Sequence, residues 1–140
     1  MNAEKRVFFD TNILVYAYSS DEIEKKSVVQ ELLEREQEIV ISTQVINEFI
    51  NVMRRKKAIP TATLQDVLRE LVAVFHVSLV HIDTIDSALG ISQKYNYSYF
   101  DSLMISSALE NSCVVLYSED MHHKQIVGAA LTILNPFKTL

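Results

Sequence analysis

Five short apolar runs, separated by longer amphipathic stretches, constrain the fold of this chain more than any other feature of its sequence. The runs lie at residues 7–9, 39–41, 78–82, 114–117 and 131–134. Short and almost continuously apolar runs are typical of parallel strands that are buried on both faces. Strands that alternate with helices predict an α/β protein. We therefore expect a three-layer α/β/α sandwich around a central, mostly parallel sheet of five strands.

The stretches between the runs carry apolar residues at helical spacing. They predict helices at residues 21–37, 43–57, 61–76, 84–95 and 101–111, and a shorter helix after Asp120. The chain has 140 residues but only two glycines and two prolines, so it offers no candidate linker between domains. Since a chain of this length suffices for one hydrophobic core, we predict a single domain over residues 1–140.

Composition narrows the range of functions. The formal net charge of −5 argues against a protein that binds nucleic acid over its whole surface, because phosphate contacts come from Lys and Arg. Four basic residues nevertheless stand together as Arg54, Arg55, Lys56 and Lys57, so the field can be positive locally. No apolar run is long enough to span a bilayer, and the N-terminus lacks the pattern of a secretion signal. We predict a cytoplasmic protein without a membrane segment.

Four acidic residues occupy positions where a carboxylate is costly. Asp10 and Asp120 follow two of the predicted strands, so we expect both at the carboxyl edge of the sheet, where α/β proteins bind their ligands. Glu48 and Asp101 lie beside the apolar stripes of two predicted helices. All four therefore point toward the interior or toward a ligand site rather than into open solvent.

Each of these residues also has an ordinary structural explanation. Asp10 and Asp101 could cap the helices that follow them, Glu48 could pair with a neighbouring Arg or Lys, and Asp120 could be a loop residue. Together, four converging carboxylates would repel each other until some were protonated or a cation neutralised them. Mg²⁺ and Mn²⁺ prefer such oxygen ligands and also bind substrate phosphates. The set therefore indicates metal-dependent phosphate chemistry.

Four short motifs resemble those of PIN-domain ribonucleases. Residues 10–14, Asp-Thr-Asn-Ile-Leu, resemble the opening signature of that family. Residues 42–49, 99–108 and 118–120 resemble its second, third and fourth signatures in the same order. The resemblance extends over about residues 7–136 and is specific, because four motifs agree in order and spacing where a single Asp-Thr-Asn would be weak.

The resemblance implies a Rossmann-like fold and cleavage of single-stranded RNA that leaves a 5′-phosphate. It implies a Mg²⁺ or Mn²⁺ site built by Asp10, Glu48, Asp101 and Asp120, with Asn12 and Ser118 supporting the metal or an acidic ligand. Single-domain members of this size resemble VapC toxins of type II toxin–antitoxin pairs, which commonly form homodimers and are silenced by a small antitoxin. A PIN-like module that binds RNA or protein without cleavage is the alternative function.

The sequence lacks the signatures of two other classes of phosphate-handling protein that also place an Asp after the first strand. A haloacid-dehalogenase phosphatase needs a second Asp two residues after the first, where this chain has Asn12, and a response-regulator receiver needs an adjacent acidic pair near the first strand. We interpret Asp83 as the cap of the following helix, with membership of the acidic cluster as the alternative. Glu119 adds a charge beside Asp120 and could share its role. The basic cluster at 54–57 is a candidate RNA-binding surface, although a solvated helix end favoured by the helix dipole explains it equally well.

Overall fold

The structure, a computed structural model, describes residues 5–138. Within these residues one sheet contains the strands β1 (Arg6–Phe9), β2 (Glu38–Ser42), β3 (His76–Ser78), β4 (Val115–Tyr117), β5 (Ile126–Val127) and β6 (Leu131–Leu134). The strand order is β3-β2-β1-β4-β6-β5, and all neighbours are parallel except the antiparallel pair of β5 and β6. The expected α/β fold with a mostly parallel sheet is confirmed, with six strands instead of five.

Helices connect these strands. They are α1 (Thr11–Ala17), α2 (Ile23–Arg35), α3 (Thr43–Lys57), α4 (Thr61–Val74), α5 (Ile82–Tyr95) and α6 (Tyr99–Glu110). The bounds of α3 equal the predicted ones, because Ser42 caps its first turn and Pro60 prevents its continuation. None of the helices within residues 5–138 is both long enough and apolar enough to cross a membrane.

Two predicted elements differ from the structure. The strand predicted at residues 78–82 overlaps β3 only at Ser78, where β3 ends. Its apolar residues Leu79 and Ile82 are exposed instead of buried. The short helix expected after Asp120 is absent, since residues 119–125 form turns. Backbone hydrogen bonds to Ile133 hold the end of this segment beside β6, where it leads into β5.

The strands are covered on both faces. Phe8 and Phe9 are consecutive in β1, so their side chains point to opposite faces, and both are fully buried. The carboxyl ends of the central strands β1 and β4 lie side by side, with Phe9 opposite Tyr117. The Asp10 amide donates to the Tyr117 carbonyl at 3.0 Å and continues this pairing. The residues that follow the two strands therefore meet at one edge of the sheet.

Candidate active site

Asp10 occupies the junction between β1 and α1. Its side chain is buried, with 7% exposure, and it caps α1 by accepting a hydrogen bond from the Thr11 amide at 2.7 Å. Its second carboxylate oxygen accepts from the Ser118 hydroxyl at 2.8 Å. Asp10 is thus both a helix cap and a member of the acidic group, so the two interpretations of this residue are compatible.

Ser118 supports Asp10 from the end of β4. The hydroxyl that donates to Asp10 also accepts a hydrogen bond from the Met121 amide at 3.3 Å. Because the Ser118 amide is bonded to the Leu134 carbonyl at 3.0 Å, the residue is held to the neighbouring strand β6 as well. Ser118 is fully buried, so it fixes the Asp10 carboxylate from inside the protein.

Glu48 approaches the same place from α3. It is half-buried, and one of its oxygens accepts a hydrogen bond from the Thr11 hydroxyl at 2.9 Å. Asn51 lies on the next turn of α3 and lines the same pocket. Thr11 and Asn51 are not among the site residues predicted from the sequence. Their signals were available, since Thr11 lies between Asp10 and Asn12 and Asn51 follows Glu48 by three residues, one helical turn.

Asp120 and Asp101 complete the acidic group. Asp120 is exposed, and one of its oxygens accepts a hydrogen bond from the Asn12 side-chain amide at 2.9 Å. Asp101 lies in the first turn of α6, but the cap of that helix is Ser98, whose hydroxyl accepts from the Asp101 amide at 3.2 Å. The Asp101 carboxylate is therefore not needed as a cap and is available to a ligand.

These residues line one pocket. Its volume is about 310 Å³. It is lined by Asp10, Thr11, Asn12, Glu48, Asn51, Val52, Asp101 and Asp120. Within residues 5–138, none of the four carboxylates is ion-paired to a Lys or Arg. The structure therefore leaves the negative charge of this pocket without a cationic partner from the described chain.

The acidic residues disturb each other's ionisation. Burial, helped by the charges of Asp101 and Glu48, raises the pKa of Asp10 to about 6, although the hydrogen bonds from Ser118 and Thr11 lower it. Burial also raises the pKa of Glu48 and that of Asp101, to which the charges of Asp101 and Asp120, respectively, add. A cation in the pocket would relieve this repulsion.

The donor set fits a hydrated Mg²⁺ or Mn²⁺ ion. Among residues 5–138, no group of three or more His, Cys, Asp or Glu side chains is arranged so that it could hold a metal ion. Mg²⁺ usually retains several waters and is bound by only one or two carboxylates together with substrate phosphates. An open pocket with carboxylate and amide oxygens satisfies this requirement without a closed cage of protein ligands.

The remaining candidate residues lie outside the pocket. Asp83 is exposed in the first turn of α5, and His81, not Asp83, is the cap of that helix. Lys57 donates to Asp21 at 3.2 Å, whereas Arg54, Arg55 and Lys56 are exposed at the end of α3. Of the four basic residues, Lys57 therefore already has an acidic partner.

Comparisons with known proteins agree with this architecture. A model of the PIN domain family matches residues 7–128. None of the curated proteins matches the sequence. Among solved structures, the chain is similar to VapC20 of Mycobacterium tuberculosis, described as a toxin that cleaves the sarcin–ricin loop. The sequence identity is 17% and the TM-score 0.68, with 81% of this chain and 89% of that chain covered.

The chain is also similar to proteins in two further solved structures. The chain is 18% identical to a protein of the VapBC2 complex from Rickettsia felis bound to a DNA fragment from its promoter, with a TM-score of 0.64 and coverage of 93% and 99%. It is 19% identical to a protein of a toxin–antitoxin complex from Klebsiella pneumoniae, with a TM-score of 0.63 and coverage of 81% and 86%. These likenesses establish the fold. Since the family model covers most of the chain, the chain belongs to the PIN domain family.

The burial of Asp10 predicts a pH-dependent gain of stability in the Asp10→Asn variant. The pKa of Asp10 rises from 3.8 to about 6 on folding. The protonated Asp10 side chain therefore contributes fully to stability below pH 4. This contribution is lost as the pH rises through 6, because the buried carboxyl group becomes charged. A shift of this size corresponds to about 3 kcal/mol. We expect Asp10→Asn to raise the free energy of unfolding of the metal-free protein by about 1–3 kcal/mol at pH 8, and to change it little at pH 4.

Urea denaturation in the presence of a chelator, at both pH values, measures this difference. Asp86→Asn is the matched control, because Asp86 is an exposed acid on α5 outside the pocket. Its stability should equal that of the wild type at either pH. Equal stability of the wild type and Asp10→Asn at pH 8 would show that the folded state does not disfavour the ionised Asp10.

Proposed function

We propose that this chain is a Mg²⁺- or Mn²⁺-dependent endoribonuclease that hydrolyses phosphodiester bonds of single-stranded RNA. We propose further that it is the toxin of a type II toxin–antitoxin pair. The observation that carries the enzymatic proposal is the convergence of Asp10, Glu48, Asp101 and Asp120 on one pocket at the carboxyl edge of the sheet, without a Lys or Arg partner among the described residues.

The proposed roles follow from burial and hydrogen bonding. Asp10 and Asp101 would hold the metal, and Glu48 or Asp120 would orient the attacking water or hold a second ion. When bound, Mg²⁺ or Mn²⁺ supplies Lewis-acid polarisation of a phosphoryl oxygen and lets water react at neutral pH. Water adds to phosphorus, the bond from phosphorus to the 3′ oxygen breaks, and the leaving 3′ oxygen takes up a proton that the water releases. The products are a 5′-phosphate and a 3′-hydroxyl.

Ser118, Asn12 and Thr11 restrict the positions of these carboxylates. The side chain of each donates one hydrogen bond to a member of the acidic group. Hydrogen-bond partners of this kind hold metal-binding side chains in a defined orientation. The pocket is thus pre-organised around an acidic centre, which supports hydrolysis over the alternative of a PIN-like module that binds RNA without cleaving it.

A nuclease assay tests the proposal. Asp101→Asn is expected to reduce the rate of single-stranded RNA cleavage by at least about 100-fold, because loss even of an outer hydrogen-bond partner of a metal ligand costs 10- to 100-fold. Chelation of divalent ions should abolish wild-type cleavage, and Mg²⁺ or Mn²⁺ should restore it. Asp86→Asn serves as the control with the same change of charge outside the pocket. RNA cleavage at the wild-type rate by Asp101→Asn would contradict a catalytic role of the acidic pocket, and absence of metal-dependent cleavage by the wild type would favour the non-cleaving alternative.

Arg55 is the strongest candidate among the four basic residues for RNA binding. It follows Glu48 by seven residues, so it lies two turns and about 10 Å further along the same side of α3. Its side chain is exposed, and a phosphate bound there would lie next to the acidic pocket. Arg54 and Lys56 point to other sides of the helix, and Lys57 pairs with Asp21.

We expect Arg55→Ala to weaken binding of single-stranded RNA about threefold to tenfold. The logarithm of the binding constant should also depend less steeply on the logarithm of the salt concentration, by the amount expected for the loss of one phosphate contact. Fluorescence anisotropy without divalent metal, over a range of salt concentrations, measures both quantities. Lys57→Ala is the matched control and should change the affinity by less than about twofold. A larger effect of Lys57→Ala than of Arg55→Ala would contradict this assignment.

A small antitoxin and a second copy of the chain are the proposed protein partners. The similar protein from Klebsiella pneumoniae belongs to a toxin–antitoxin complex, which supports the antitoxin. Exposed apolar side chains are typical of interaction surfaces when they lie together. Several occur on α4, on α5 and on the segment that joins them, namely Val72, Val74, Leu79, Ile82 and Leu89.

Both partners are testable in solution. Light scattering of the purified chain is expected to give twice its mass of 16.0 kDa, and the product of an adjacent small reading frame is expected to co-purify with it and inhibit cleavage. A monomer would contradict the homodimer, and absence of an inhibitory partner would contradict the toxin assignment while leaving the nuclease assignment in place. A cytoplasmic location stays a prediction.

A further inference from the structure

Glu119 and Asp120 are adjacent acids whose side chains have different surroundings. Asp120 lines the acidic pocket, whereas Glu119 does not. One Glu119 oxygen accepts a hydrogen bond from the Tyr16 hydroxyl at 2.9 Å, and the other is ion-paired to Lys25 at 2.8 Å. The Glu119 carboxylate therefore already has two donors, and this difference from Asp120 is not visible in the sequence.

Helix α1 contacts both acids. Asn12 donates to Asp120 at 2.9 Å, and Tyr16, one helical turn later on the same face, donates to Glu119 at 2.9 Å. The backbone carbonyl of Glu119 also accepts from the Asn135 side chain at 3.3 Å. The turn that carries the two acids is consequently held at three points, and its orientation relative to α1 is defined.

Lys25 connects this arrangement to α2. Besides its ion pair, its ammonium group donates to the Tyr16 hydroxyl at 3.2 Å. It lies 4.8 Å from the centroid of the Tyr16 ring and 5.4 Å from that of Phe137, distances at which a cation is attracted to an aromatic face. The side chains of Lys25 and Glu119 are 34% and 25% exposed, so water screens this pair less than a fully exposed one.

The electrostatic consequence concerns the pocket. A Glu119 carboxylate without its partners would stand as a fifth negative charge beside four that already repel each other. It would also compete with Asp120 for the Asn12 amide and for any cation in the pocket. Neutralisation by Lys25 prevents both effects.

We propose that Lys25 and Tyr16 are positioning residues of the acidic site: they hold Glu119 away from the pocket and thereby fix the turn at residues 118–121 so that Asp120 faces it. This inference rests on the proposed function, since it concerns how well the pocket binds a divalent ion. Neither residue contacts the pocket itself.

Calorimetric titration of the metal-free protein with Mn²⁺ tests the proposal. We expect Lys25→Met to weaken Mn²⁺ binding about threefold to tenfold, less than the 10- to 100-fold loss typical of outer partners of metal ligands, because it acts through the turn and not on a ligand directly. Lys25→Arg keeps the ion pair and should stay within twofold of the wild type. Lys26→Met removes the same charge from the neighbouring position of α2 and should also stay within twofold.

Two outcomes would overturn the proposal. Unchanged Mn²⁺ affinity of Lys25→Met would show that the ion pair of Lys25 and Glu119 does not affect the pocket. Tighter binding would show that the released Glu119 acts as an additional ligand. Tyr16→Phe removes only the hydroxyl and should weaken Mn²⁺ binding in the same direction, so it answers the question if Lys25→Met does not fold.

The wild-type control separates this proposal from the proposed function. If the wild type binds no Mn²⁺ and cleaves no RNA, the nuclease assignment fails and the positioning role falls with it. If the wild type binds Mn²⁺ and cleaves RNA while Lys25→Met and Tyr16→Phe do so equally well, only the positioning role is wrong.

Discussion

The architecture of the site depends on the burial of one carboxylate. Asp10 ends the central strand β1 and begins α1, and each of its oxygens accepts one hydrogen bond, from Thr11 and from Ser118. Because these donors come from α1 and from the end of β4, their positions are defined relative to one another. Two neutral donors do not fully compensate the desolvation of a charge, which is why the pKa of Asp10 stays raised. The surrounding core offsets this cost.

Helix α1 distributes hydrogen bonds among the acidic residues although it has only seven residues. Thr11, Asn12 and Tyr16 each donate to a different carboxylate. Their acceptors are Glu48, Asp120 and Glu119, respectively. Neighbouring carboxylates would otherwise move apart or exchange donors, so this helix determines which of them remain around the pocket and which is turned away. The site is therefore built by one short helix and the elements that pack against it.

Strands could be predicted from the sequence where the apolar residues of a run are buried in the structure, and not where such residues are exposed. The runs at residues 7–9 and 131–134 became strands because their apolar residues enter the core. The run at 78–82 was misleading, since Leu79 and Ile82 are apolar but exposed, and exposure is set by the neighbouring elements. The edge strand β5 has two residues, too few to produce a pattern, and forms only because β6 supplies its hydrogen bonds.

The sequence alone determined the identity and order of the four acidic residues, and the placement of two of them after strands, because short motifs and apolar periodicity are local. It also sufficed to recognise the PIN family. Only the tertiary structure decided that Thr11 supports Glu48, that Glu119 is turned toward Lys25, and that Lys57 pairs with Asp21. These partners are separated by 37, 94 and 36 positions. Such contacts exist only after the elements pack, so no local pattern encodes them.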